Sequence, residues 1–141
     1  MMKKVLIASM AAMFLVSSLF VSPAKALPDF KKAFEAKYVT NSNSEDLKEA
    51  FKAAGCNVCH VKGNNNKKAR NPYGAALSKI TGGHVAADLK SAKDTGGDDA
   101  RAAKLKEILK TLDGAFDKVE AQKSASGQTY GEMLKGGKLP R

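Results

Sequence analysis

Two thiols and an imidazole stand within five residues at Cys56-Asn57-Val58-Cys59-His60, which holds both cysteines and one of the two histidines of this 141-residue chain. Thiols separated by two residues, with the imidazole next in line, have the spacing that forms thioethers with the two vinyl groups of a haem and ligates its iron. Other uses of these residues fit less well. A disulfide between Cys56 and Cys59 would close a very small loop and add little stability. A thioredoxin-like dithiol keeps the same gap but needs alternating strands and helices, a pattern this chain lacks. A structural zinc site takes four ligands, and two Cys and two His, widely split along the chain, supply no such set.

The N-terminal residues bear on the compartment. Lys3 and Lys4 precede an apolar run from Val5 to Val21, broken only by small serines, and Ala24-Lys25-Ala26 has small residues at the two positions a signal peptidase reads. Cleavage is therefore expected after Ala26, leaving residues 27–141 as one exported, periplasmic domain. The alternative is an uncleaved anchor, since this stretch is close to the lower limit for a span. Removal takes three lysines, so 21 basic residues face 14 acidic ones, a charge of about +7. A domain of that length buries about two thirds of its unfolded surface, enough for one small core. Lysines spread over every segment of an exported chain give little support for nucleic-acid binding, and docking to an acidic protein surface suits them better.

Several elements must position the motif. Phe30, Phe34 and Tyr38 recur every four residues and predict a short helix over Leu27 to Val39. A second helix is expected from Ser44, with Glu45 and Asp46 in its first turn and a stripe of Leu47, Ala50, Phe51 and Ala54. Gly55 stops it, and Cys56 follows at once. Val61 to Arg70 holds Lys62, Lys67, Lys68 and Arg70 around Gly63 and three asparagines, and reads as an exposed loop closed by Asn71-Pro72. Tyr73 to Ile80 and His84 to Lys93 are short helical segments, with Thr95-Gly96-Gly97 as the break before the longest periodic run. That run, Asp98 to about Lys123, sets Leu105, Ile108, Leu109, Leu112, Phe116 and Val119 on one face. The tail carries Tyr130, Met133, Leu134 and Leu139 between glycines and is expected to lie over the rest of the domain.

From Ser44 to about Ile80 the chain resembles the single-haem cytochrome c family, in which an amphipathic helix runs directly into Cys-x-x-Cys-His and a proline follows the histidine at this spacing. The resemblance implies an all-α fold, a small helical domain wrapped around one haem c, with Cys56 and Cys59 as thioether attachments and His60 as the proximal iron ligand. It also implies that the carbonyl of Pro72 accepts the Nδ1 proton of His60, or else that Pro72 is simply a turn residue. The chain departs from the family at the sixth ligand. A methionine usually precedes the last helix there, whereas Met133 follows the long helix here and His84 occupies the slot before it. Met133, His84 and no protein ligand all stay open. The expected function is single-electron transfer between redox proteins with acidic docking surfaces. A haem-based small-ligand sensor with an open distal side is the alternative. An enzyme such as a peroxidase fits least, because the chain has one attachment motif and one further histidine.

Overall fold

The aromatic stripe of Phe30, Phe34 and Tyr38 forms as its spacing predicts: α1 (Pro28–Phe34) runs straight into a π-helical turn, Glu35–Val39, in which Thr40 N–H reaches the Glu35 carbonyl at 2.8 Å. The computed structural model describes residues 27–63 and 69–140. The export signal read from residues 1–26, and Lys67 and Lys68 of the basic loop, lie outside the described residues.

α2 (Glu45–Ala54) begins where Ser44 Oγ accepts the Leu47 N–H at 3.2 Å, and it buries Leu47, Phe51 and Ala54. It ends at Gly55, whose φ of 53° suits a residue without a side chain. A 3-10 turn, Gly55–Val58, follows, then the basic loop, then α3 (Pro72–Ile80). α4 (Val85–Glu120) is two helices joined across a kink at Gly96 and Gly97, so the expected break is present but only two residues long. α5 (Tyr130–Lys135) opens on a complete capping box between Thr129 and Glu132. Among the described residues the fold is all-α, with two isolated bridges, His60 to Arg70 and Lys123 to Thr129, and no strand.

Phe34 is the hub of the core. Its ring centre lies 4.9 Å from Tyr38, 5.7 Å from Phe51, 5.9 Å from Tyr73 and 6.1 Å from Phe116. Four elements are thus joined through one side chain, in the tilted, stacked and edge-to-face arrangements that aromatic quadrupoles favour. The apolar face of α4 enters this core only in its C-terminal half: Leu112, Phe116 and Val119 are buried, while Leu105 and Ile108 are partly exposed. Polar ties reinforce the same junction. Lys37 Nζ lies 2.7 Å from both Asp113 and Asp117, and Tyr38 O–H donates to Glu120 at 2.6 Å.

The tail covers the core as expected, burying Tyr130, Leu134 and Leu139. Gly137 passes so near the start of α2 that a Cβ there would stand 2.6 Å from Ser44 Oγ. Among the described residues no helix is long and apolar enough to cross a membrane.

Candidate functional site

Helix α2 delivers the motif, and the backbone then curls it around a single carbonyl. Cys59 N–H and His60 N–H both donate to the Cys56 carbonyl, at 3.3 and 3.2 Å. Val58 is buried and anchors the turn, which leaves Cys56 exposed and Cys59 and His60 half-buried on one side.

Asn71 clamps this turn to α3. Its Nδ2 donates to the carbonyls of Asn57 and Val58 at 3.2 and 2.8 Å, and its backbone N–H donates to the Cys59 carbonyl at 3.1 Å. Its Oδ1 meanwhile accepts the Gly74 N–H at 2.8 Å and so caps α3. One buried amide thus satisfies the ends of two elements. Gly74 completes the junction, since a Cβ at that position would fall 2.0 Å from the Cys59 carbonyl oxygen. No residue with a side chain fits between α3 and the motif.

His60 Nδ1 lies 3.1 Å from the Ala69 carbonyl, which also accepts the Val61 N–H at 3.2 Å. A carbonyl only accepts, so Nδ1 carries the proton and Nε2 of the neutral ring keeps its lone pair. The partner is therefore Ala69, not Pro72. Pro72 is the first residue of α3, and a carbonyl in that position is turned along the helix to serve its fourth-next residue. Pro72 instead acts as the helix-opening residue that its fixed φ favours.

Two adjoining cavities, of about 150 and 50 Å³, flank the motif. Leu27, Phe30, Cys59 and His60 line both; Cys56 and Phe51 join the smaller, and Arg70, Gly74 and Leu77 the larger. The walls are mainly apolar, with Arg70 bringing a positive charge to the larger cavity and Lys31 one to the smaller. Together these cavities fall below the roughly 300–1,000 Å³ of sites that enclose a drug-sized ligand, so a porphyrin would need a wider cleft than this one. The donor set itself fits: two thiols and an imidazole with a free Nε2 share one apolar cleft.

Burial pushes the Cys59 thiol up to about 12, with Cys56 acting in the same direction and Arg70 against it. At neutral pH that sulfur is a protonated thiol. Among the described residues no three His, Cys, Asp or Glu side chains converge to hold a metal ion. A porphyrin brings four nitrogens of its own, and one imidazole from the chain is enough to fix its iron.

The other candidate ligands lie apart from the motif. Met133 is half-buried against the aromatic core and lines neither cavity. His84 is exposed at the start of α4, between Gly83 and Val85, which do line the larger cavity. Sequence reasoning passed over Asn71, Gly74 and Leu27. A glycine inside the otherwise strong helical run Tyr73 to Ile80 is the signal that marks the close approach at Gly74. No family model, curated protein or solved structure matches the chain.

Proposed function

We propose that this protein is an exported one-haem c-type cytochrome that carries single electrons between redox partners. The observation that supports this reading best is the single cleft shared by Cys56, Cys59 and His60, with the His60 tautomer fixed by Ala69. Haem, when bound, supplies the reversible one-electron couple of its iron. Cys56 and Cys59 hold it by thioethers, and His60 offers Nε2 to the iron. The Ala69 carbonyl orients that ring and raises its basicity, as partners of ligating histidines do. Asn71 and Gly74 keep the motif rigid against α3, so that electron transfer need not rearrange the chain around the iron. Phe30, Phe51 and Leu77 exclude water from the cleft. Lys62 and Arg70, both exposed, bring positive charge beside His60, where it would steer an acidic partner.

The test is expression with a periplasmic haem-attachment system, followed by a denaturing-gel haem stain and intact mass. The mature chain is expected to carry one haem, lost in Cys56→Ala/Cys59→Ala. A chain that leaves the periplasm without haem refutes the reading. The placement of Met133 in the core and of His84 at the cleft's edge favours a second reading, a gas-binding or sensory protein with an open distal side. Rapid carbon monoxide binding by the reduced wild-type protein would select it over the carrier.

A further inference from the structure

The first half of α4 lies between two glycine pairs, Gly82-Gly83 and Gly96-Gly97, and each pair follows a threonine. We propose that the segment between them, residues 84–95, is a strap that swings on these pairs as a rigid body and gates access to the larger cavity beside Cys59 and His60. The inference goes beyond the haem reading, because it concerns entry to the cleft whatever group occupies it.

Four observations carry it. First, both joints depend on glycine. Gly82, Gly83 and Gly97 hold φ of 81°, 74° and 73°, and helical geometry lapses at Gly96 and Gly97. A Cβ at Gly82 or Gly97 would meet nothing within 4 Å, so no neighbour braces the joint on that side. Second, the strap is lightly held. Leu89 is its one buried residue, and it stands outside the core cluster around Phe34. The second half of α4 is fixed, by contrast, through Leu112, Phe116 and Val119 and through the bonds of Asp113, Asp117 and Glu120 to Lys37 and Tyr38. A segment with few buried apolar contacts, joined to one with many, is the pattern of a unit that opens locally. Third, the strap closes the cleft: its first turn brings Val85 and Ala86 to the wall of the larger cavity, together with Gly83 at the joint. Fourth, a latch crosses the second joint. Lys93 Nζ lies 2.8 Å from Asp98 Oδ1, an exposed pair that bridges Gly96-Gly97, whereas Lys90 and Asp94, at 2.6 Å, stiffen the strap itself. Exposed pairs contribute little, so this latch releases readily.

The experiment uses the full chain carrying Cys56→Ser, produced without haem attachment, so that Cys59 is the one remaining thiol. N-ethylmaleimide labelling of Cys59 reads access to the cleft, and hydrogen exchange followed by mass spectrometry reads the strap. Tyrosine fluorescence during urea unfolding reads the core, because Tyr38, Tyr73 and Tyr130 all pack there. The strap amides are expected to exchange as one block, faster than those of the second half of α4 and through openings insensitive to low urea. Two changes loosen the strap. Leu89→Ala removes its buried anchor, and Gly97→Ala adds no clash but disfavours the backbone conformation that the joint needs. Each is expected to speed Cys59 labelling about tenfold while the urea midpoint of the core stays unchanged. An unchanged labelling rate in either variant overturns the proposal. So does an acceleration matched by a lower core midpoint, since the strap would then open only when the whole fold does. A folded chain in which Cys59 reacts as fast as in urea overturns it as well, because nothing would be gated. Covalent haem attachment succeeds or fails without altering these readouts, so failure of the strap and failure of the haem reading are distinguishable.

Discussion

Asn71 shows how much one buried amide does at this site, because it caps α3 and donates to two carbonyls of the motif turn at the same time. Asn71→Ala removes the cap, typically about 1 kcal/mol. It also strands buried carbonyls, at about 1–3 kcal/mol each when no water replaces the amide. Denaturant unfolding is expected to show a loss of at least about 2 kcal/mol; a loss below 0.5 kcal/mol would mean that the clamp is dispensable. Tyr73 is the opposite case. It is fully buried, and its hydroxyl sits beside that of Tyr38 without reaching hydrogen-bond geometry. Burial raises its pKa, with the neighbouring Tyr38 hydroxyl acting against that rise. Tyr73→Phe is expected to leave thermal stability unchanged or raise it slightly, while Tyr38→Phe breaks the bond to Glu120 and costs about 1–2 kcal/mol. Equal losses in the two variants would contradict this difference. The motif was legible in the sequence because its chemistry lies in residue type and spacing. The clamp was not, because Asn71-Pro72 looks like any polar turn until the fold shows which carbonyls it faces.

At the scale of elements, periodic patterns translated well and backbone irregularities did not. The four-residue aromatic spacing gave the first helix, and the stripe from Leu105 to Val119 gave the second half of α4. The π turn at Glu35–Val39 has no signature in local residue types, and it coincides with the stretch where Lys37 and Tyr38 bind α4. Burial would lower the pKa of Lys37, but the hydrogen bonds and charges of Asp113 and Asp117 outweigh it and raise the pKa above the ordinary 10.5. The sign of the linkage follows. A cation whose folded pKa is raised contributes stability fully below its unfolded pKa, and that stability is lost as pH rises through the higher folded value. The two carboxylates are largely solvent-exposed, so each pair is worth about 0–1 kcal/mol. Lys37→Met is therefore expected to lower the unfolding free energy by at most about 2 kcal/mol at neutral pH. The gap from wild type should narrow above pH 10.5 and with added salt. A gap that widens with pH would refute the assignment.

For the whole molecule, the relevant quantities are net charge and its position. The full chain carries a net charge of +10, and about +7 if residues 1–26 are removed as proposed, a balance that would favour encounter with acidic partners. Lys62 and Arg70 place part of this charge at the two ends of the basic loop, where the Val61 N–H donates to the Ala69 carbonyl at 3.2 Å beside His60. Lys62→Glu with Lys68→Glu is expected to slow electron transfer to an acidic partner about tenfold at low ionic strength, with the difference fading at high salt. Stopped-flow kinetics across a salt series checks this, and a rate independent of both charge and salt would locate docking elsewhere.

The bonds that join the first helix to α4 span 76 residues from Lys37 to Asp113 and 82 from Tyr38 to Glu120. On the export reading proposed above, Cys56 and Cys59 would reach the far side of the membrane before Asp113. Until then α1 lacks its Lys37 and Tyr38 ties to α4, although Phe51 and Tyr73 are already there for Phe34 to pack on. Such long-range closure is slow, since the loop entropy must be overcome before the contacts form. Both sulfurs would be less firmly enclosed over that interval than in the finished fold, where Cys59 is half-buried. On the haem reading proposed above, the order in which the chain emerges would give covalent attachment a time window that narrows when α4 docks.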